Sequence, residues 1–358
     1  MKSINIISFI NLLALFLAAC GPPTADRRPQ TADRGPLKFV AYEGNPILGP
    51  GKPGEWDELV VLIPSALRYE NVFYLFYSGW QKNGQVSIGL ATSEDGYHFT
   101  KYSGNPILNP RNKGFDSYSV GAPVFIRVDS AWLMYYNSAE TAIYGPGPYV
   151  GRATATELKG PWERMDEPVL ARGHRSEWDG GYVIPTSILK KEDGTFMLYY
   201  TAGANFTDIP VFYIGLATSA DGINWIKYND PATKDHPFAD SDPVLMKTKH
   251  KKPYNDYAWT PFVLKNPQGY EMYYTCQYDK AGIGKNGIGY ATSPDGIHWE
   301  KYPGNPVYGL KDDPVIANHP EDVMEFPSLV FTDSLCFMYY DYGQVINSIG
   351  VATARLNK

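Results

Sequence analysis

Apolar and polar positions follow one order five times along this chain. A short apolar segment opens on a proline: Pro64, Pro123, Pro185, Pro261 and Pro327. A second apolar segment ends in two aromatics: Phe76-Tyr77, Tyr135-Tyr136, Tyr199-Tyr200, Tyr273-Tyr274 and Tyr339-Tyr340. A third reads Ile/Val-Gly-x-Ala-Thr, at 88–92, 150–154, 214–218, 288–292 and 349–353. The period is roughly 60 residues, in the range of propeller repeats. Short runs of this kind, rich in aromatic and β-branched residues and separated by Gly and Pro, read as strands.

A fourth strand is expected after a turn. Ser93-Glu94-Asp95-Gly96, Ser219-Ala220-Asp221-Gly222 and Ser293-Pro294-Asp295-Gly296 each supply an Asp that bonds the turn backbone and a Gly that tolerates positive φ. In the second unit, Leu158-Lys159-Gly160-Pro161-Trp162 stands in that place. Four strands per unit, repeated radially, predict an all-β fold: a five-bladed β-propeller with four-stranded blades. Segments similar to Asn-Pro-Ile-Leu follow the fourth strand at 105–108, 167–170, 242–245 and 305–308. A fifth copy, 45–48, lies near the N-terminus behind 38–42, and the chain stops just after the last Ile-Gly-Val-Ala-Thr. The N-terminal strand is therefore expected to complete the last blade and close the ring, which removes an exposed sheet edge.

The pattern differs at the start. Lys2 precedes an apolar stretch, 4–19, broken only by Ser8 and Asn11 and ending in Leu17-Ala18-Ala19-Cys20. This is the layout of a secretory signal, too short for a mature spanning helix. Leu-Ala-Ala-Cys resembles the lipobox of bacterial lipoproteins, which implies cleavage before Cys20 and lipid on its thiol. Residues 1–19 are read as the signal peptide and 20–36 as the lipidated Cys with a flexible tether. Residues 37–358 are read as the propeller. The location implied is the bacterial cell envelope, exported and membrane-anchored through Cys20, at the outer membrane or in the periplasm.

Composition narrows the partners. A length of 358 residues suits one large β domain or two domains. A net charge of -6 argues against nucleic acid, which needs a basic footprint. Cys276 and Cys336 sit in apolar, Tyr-rich segments and read as small buried hydrophobes. No Cys/His spacing suggests zinc. No cofactor is indicated, a structural calcium ion is left open, and a monomer is expected.

The chemistry should lie where the first strands begin and the second strands end. Asp57, Asp116, Asp179, Asp256 and Asp322 recur once per unit in the segments leading into the first strands. Recurrence favours a structural task, each Asp pinning its own loop. Departures from the repeat carry more information. Two places before the proline the units show Leu62, Gly121, Val183, Trp259 and Glu325. A carboxyl at such a mouth is costly unless it is paired or does chemistry. After the second strands stand Trp80, Glu140, Asn205, Asp279 and Asp341; with Asp116 they form the candidate substrate-binding set. Trp80 suits either a sugar-stacking platform or packing between blades.

The segments Gly44–Leu48, 88–99 and Gly160–Trp162, together with the blade pattern, resemble the five-bladed glycoside hydrolases of families 43, 32, 68, 117 and 130, over roughly residues 38 to 358. The three Ser-x-Asp-Gly turns resemble the Asp boxes of sialidases, one residue shorter. The resemblance implies an acid, a base or nucleophile, and a third carboxylate on the axis. Glu325-Phe326-Pro327 resembles the Glu-x-Pro acid motif of family 32, here in the last blade. The Asp-Pro motif of families 43 and 32 is replaced by Ile63-Pro64. Glycoside hydrolysis needs one carboxyl to protonate the leaving oxygen and another to activate water or attack the sugar. The roles expected are Glu325 as acid, Asp57 as base and Asp179 as third carboxylate. A glycan-binding lipoprotein without catalysis is the alternative, and a phosphorylase would further need a basic phosphate pocket.

Overall fold

A computed structural model of the chain describes residues 35–142, 147–204, 212–246, 257–277, 286–319 and 321–356. Residues 1–34 with Cys20, and the candidates Asn205, Asp256 and Asp279, lie outside the described residues. What is described is all-β, apart from a 3-10 turn at Leu310–Asp312 and a short helix at Pro314–Ala317.

The strands form antiparallel groups in chain order. After a short β1 (Val40–Ala41), group one holds β2 (Val60–Tyr69), β3 (Val72–Trp80), β4 (Val86–Ser93) and β5 (Thr100–Lys101). Group two holds β6 (Ser119–Val128), β7 (Ala131–Ala139), β8 (Tyr149–Ala155), β9 (Glu163–Arg164) and β10 (Leu170–Ala171). Group three holds β11 (Tyr182–Lys190), β12 (Phe196–Gly203), β13 (Tyr213–Ser219), β14 (Ile226–Lys227) and β15 (Pro243–Leu245). Group four holds β16 (Ala258–Asn266), β17 (Gly269–Gln277), β18 (Asn286–Ser293), β19 (Glu300–Lys301) and β20 (Tyr308–Gly309). Group five holds β21 (Met324–Phe331), β22 (Leu335–Tyr342) and β23 (Ser348–Arg355). Groups one and two share a nine-stranded sheet through a parallel bridge from Val86 to Ser119; the others form sheets of their own. Beside β23 lies β1, with Val40 opposite Thr353 and Ala41 opposite Ala352, and Leu48 bridges Ile349.

The second strand of each group runs between neighbours on both faces. All eight residues of β12 are buried, which is why such segments read as continuous apolar runs rather than alternating ones. The clusters of the core lie between consecutive groups. Leu133 and Tyr135 of group two pack with Leu198 and Tyr200 of group three. Leu75 and Tyr77 of group one pack with Val330 and Tyr339 of group five. The glycine of the third-strand motif has a packing cause: at Gly89, Gly151, Gly215 and Gly289 a Cβ would collide with the ring of Tyr77, Tyr136, Tyr200 or Tyr274.

The Ser-x-Asp-Gly turns are held from within. Asp95 Oδ1 accepts from the N–H groups of Tyr97 and His98, each at 2.9 Å. The N–H groups of Asn224 and Ile223 hold Asp221 well below the usual carboxylate range. The same turns join groups. Tyr135 OH donates to Gly222 O at 2.8 Å, Tyr199 OH to Gly296 O at 2.8 Å, and Tyr339 OH to Gly96 O at 2.9 Å. Group two lacks the turn, and there the preceding group presents Phe76, which packs in one cluster with Leu158 and Trp162. Group five ends before such a turn, and the hydroxyl of Tyr273 instead accepts from Leu37 N at 3.1 Å.

Tyr339→Phe removes the bond from group five to group one and leaves a buried carbonyl without its donor. Urea unfolding should register a loss of about 1–3 kcal/mol. Phe76→Tyr, offered no turn carbonyl, should bring no matching gain.

Candidate active site

The described recurring Asp side chains, Asp57, Asp116, Asp179 and Asp322, are buried, and each is tied into its own group. Asp57 accepts from Tyr77 OH at 3.1 Å and from Lys101 Nζ at 2.7 Å. Asp116 accepts from Tyr136 OH at 2.9 Å, Arg111 Nε at 2.6 Å and Arg164 at 3.1 Å. Asp179 accepts from Lys227 Nζ at 2.5 Å. Lys101, Arg164 and Lys227 stand on β5, β9 and β14, the short strands beyond the third strand of each group. In group five that place belongs to Ala41 of β1, which has no charge to offer. There Asp322 accepts from the N–H groups of Val323, Gln344 and Ile346 instead.

Asp57, expected as base, Asp179, expected as third carboxylate, and Asp116, expected as a sugar contact, thus all stand in ion pairs. Each carboxylate is 1% exposed or less and is held by a cation from the short strand beyond the third. Losing that cation would leave a buried charge unpaired, at a cost of about 3–5 kcal/mol. Glu140 is exposed on the rim, where its carbonyl accepts from Ser117 Oγ at 3.2 Å.

The mouth of the first strands is shaped by an irregularity beside each proline. The register jumps between Leu62 and Ser65, Gly121 and Val124, Trp259 and Phe262, and Glu325 and Ser328. The residue before each of these prolines has positive φ: Ile63 58°, Ala122 47°, Thr260 48° and Phe326 54°. For β-branched and bulky residues that backbone is strained, by about 1–3 kcal/mol each. A bond to the preceding group holds it. Ala122 N donates to Ser78 Oγ at 2.8 Å, Thr260 N to Thr201 Oγ1 at 2.6 Å and Phe326 N to Thr275 Oγ1 at 3.2 Å. Ile63 N donates to Asp341 Oδ2 at 2.9 Å, linking group one to group five. In group three the jump falls later, between Pro185 and Ser187. There Asn137 makes the link, donating to Val183 O at 2.6 Å. Because of that shift Ile184, not Val183, is the group-three counterpart of Leu62, Gly121, Trp259 and Glu325.

The register also sets Glu325 opposite Asp341. Glu325 is bonded from group four and Asp341 from group one, and the charge of Glu325 is still felt at Asp341. Glu325 is partly exposed; Asp341 is 2% exposed. Asn286 Nδ2 donates to Glu325 Oε1 at 2.7 Å, and the Trp259 indole donates to the same carboxyl. Burial nevertheless pushes Glu325 up to about 7. Burial, and then the charge of Glu325, push Asp341 well above the usual carboxylate range. No cation pairs with Glu325 among the described residues. Tyr182 is near enough that, after burial, the charge of Glu325 raises its hydroxyl further. The Tyr182, Phe212 and Trp259 rings make one wall, with centroids 6.3 Å and 5.3 Å apart. Asp341 Oδ1 and Tyr182 OH are buried without a hydrogen-bond partner among the described residues. A carboxyl that keeps its proton near neutral pH can deliver it, and the charge of one carboxyl opposes ionisation of the other.

Sequence reasoning singled out Glu325 and Asp341 separately, and the pairing brings them together. It missed Asn286, Tyr182 and Phe212. Trp259 did carry a signal, as the one large aromatic among the residues two places before the prolines. Trp80 lines a cavity with Ile63, Ser78 and Gly121. Among the described residues no three His, Cys, Asp or Glu side chains group as a metal site.

Fold comparison places the chain in a class: it has the propeller-type fold of glycoside hydrolases. The similar solved structures include one from family 130, described as a family of mannoside phosphorylases containing glycoside hydrolases that target β-1,2-mannosidic linkages in Candida mannan. It is 18% identical with a TM-score of 0.70, covering 91% of this chain and 96% of that one. A thermostable family-43 glycoside hydrolase is 17% identical with a TM-score of 0.58, covering 85% of this chain and 93% of that one. In sequence, the chain is 24% identical over 302 residues to the uncharacterized protein Rv1502 of Mycobacterium tuberculosis, covering 82% of this chain and 92% of that protein. No family model matches the chain.

The raised Glu325 carboxyl makes stability depend on pH. Its ordinary value is 4.5, against about 7 in the fold. Between those values the folded chain holds a proton that the unfolded chain releases, so stability falls as pH rises and levels off above 7. Glu325→Gln should lessen that decline by up to about 3 kcal/mol between pH 5 and pH 8. An unchanged decline in urea titrations would mean that Glu325 ionises as an ordinary carboxyl.

Proposed function

We propose that this chain is a glycoside hydrolase whose acid is Glu325 and whose second carboxylate is Asp341. The observation that carries the reading is the paired carboxyls at an aromatic-walled mouth. Burial pushes both carboxyls towards their protonated forms. With the proton on Glu325, the charge of Asp341 is met by Ile63 N–H. Glu325 gives its proton to the glycosidic oxygen as the bond from that oxygen to the anomeric carbon breaks. Water adds to that carbon, and its released proton passes to Asp341. The rings of Trp259 and Phe212 offer faces to a sugar, and Tyr182 OH has bonding capacity for a hydroxyl group.

The frame proposed for this site is a five-bladed propeller spanning residues 37–358, each group one blade. Its closure is supported by β1 beside β23, by Tyr339 on Gly96 and by Ile63 on Asp341. A glycan-binding protein without catalysis is the second reading. It is favoured by one observation: among the described residues Asp57, Asp116 and Asp179 are taken up in ion pairs.

Glu325→Gln should lower the rate on a natural glycan by about 10²- to 10⁴-fold, and less on an aryl glycoside with a good leaving group. Asp341→Asn should depress both substrates. Asp57→Asn should act through stability, its activity following the fraction of folded protein. Full activity of Glu325→Gln on a natural glycan would remove the acid from Glu325. Binding without cleavage by the parent protein would favour the second reading.

For location, the proposal is a monomer anchored by lipid on Cys20 in the bacterial cell envelope. The support is the stretch Leu17-Ala18-Ala19-Cys20 behind an apolar run. Cys20→Ala should move the protein from the membrane fraction to the soluble one; an unmoved mutant would refute the anchor.

A further inference from the structure

The five residues facing the axial side chains differ most at Gly121. Its counterparts are Leu62, Ile184, Trp259 and Glu325. A Cβ at Gly121 would meet Ser78 Oγ at 3.0 Å and Val86 Cγ1 at 3.3 Å. A side chain at Gly121 would therefore press on the space between groups one and two. A cavity of about 180 Å³ occupies that place, lined by Trp80, Tyr118, Ser119, Gly121, Asn137 and Ile63 among others. None of its lining side chains is charged.

The cavity stands beside the carboxyl pair. Ile63 lines it with its side chain and bonds Asp341 Oδ2 with its N–H. Its volume is below the roughly 300 Å³ at which pockets for larger ligands begin, so it suits one ring rather than a chain. A half-exposed indole offers a flat face to the C–H side of a pyranose. Tyr118 and Ser119, both partly exposed, add hydroxyl groups to the lining. An anionic sugar or a phosphate would find no opposing charge among the described lining residues. The geometry points to a second sugar-binding position here, taking one neutral pyranose ring of the glycan whose neighbouring unit lies at Glu325 and Asp341. This rests on the hydrolase reading for the neighbouring unit, but the binding position itself does not.

Two substitutions test it from opposite directions. Gly121→Leu, which copies the counterpart in group one, fills the cavity, and Trp80→Ala removes its flat wall. The probes are reduced neutral di- and trisaccharides of glucose, galactose and mannose, with the matching aryl monoglycosides. Binding is followed by calorimetry and cleavage by product analysis, and thermal melting reports folding. For whichever sugar the parent handles, the ratio of trisaccharide to aryl monoglycoside kcat/KM should fall about ten-fold or more in both variants. If Gly121→Leu does not fold, Trp80→Ala decides alone. A ratio unchanged in the folded variants overturns the second position. If the parent binds a trisaccharide without cleaving it and the variants lose that binding, the second position stands and the hydrolase reading falls. If the parent neither binds nor cleaves any of these neutral sugars, the second position is refuted.

Discussion

One backbone amide in every group but the third organises the centre of this molecule. The residue before the first-strand proline turns into left-handed backbone, and its N–H then points at the preceding group. At that point an acceptor is compulsory, because a buried N–H without a partner costs about as much as the bond itself. Ser78, Thr201 and Thr275 supply a hydroxyl, and Asp341 supplies a carboxylate. The strain and the bond maintain each other. The same bulge fixes the register, and the register places Glu325 opposite Asp341. The acid pair is thus an outcome of the device that joins one group to the next, with a carboxylate substituted where a hydroxyl would serve.

Charge is distributed by the same economy. Towards the far edge of groups one, two and three, Asp, Tyr and a Lys or Arg form a buried set near the third-strand glycine. At the mouth in group five the carboxyls meet neutral donors only, from Asn286, Trp259 and Ile63. Both kinds of Asp are almost wholly buried, so burial alone does not separate structural from chemical carboxylates. The partners do: cations or several backbone N–H groups hold the structural ones. Asp57 beside Lys101 has its charge secured, whereas Asp341 beside Glu325 is pressed towards its neutral form.

Much of the fold was legible because the repeat is written in residue types with packing causes. The third-strand glycine and the second aromatic are two halves of one contact. The displaced 45–48 copy marked where β1 would pair. Even the exception at Phe76 can be read, since the next unit lacks the turn whose carbonyl a tyrosine would seek. The site was less legible. Glu325 stood out as a charge among uncharged counterparts, but counting back from the proline assumed a bulge at the same place in every unit, and group three shifts it by one residue. Asp57 and Asp179 looked available because their cations lie some 45 residues further on, in fourth strands of two residues. Tyr182 and Phe212 reach the mouth only through tertiary packing, and no local pattern announces them.

The seam between β1 and β23 has a mechanical side. Leu37 N meets Tyr273 OH of group four, β1 contributes two residue pairs, and Asn45 grips Val351 through both its N–H and its C=O. A pull on the chain ahead of Leu37 loads these bonds one after another, as a zipper is loaded from its end. Peeling of that kind gives way at modest force. The Ile63–Asp341 bond is not in the line of the pull, since it joins first and second strands on the axial side. Tension at the N-terminus is therefore spent on the outer edge of group five before it can disturb the carboxyl pair.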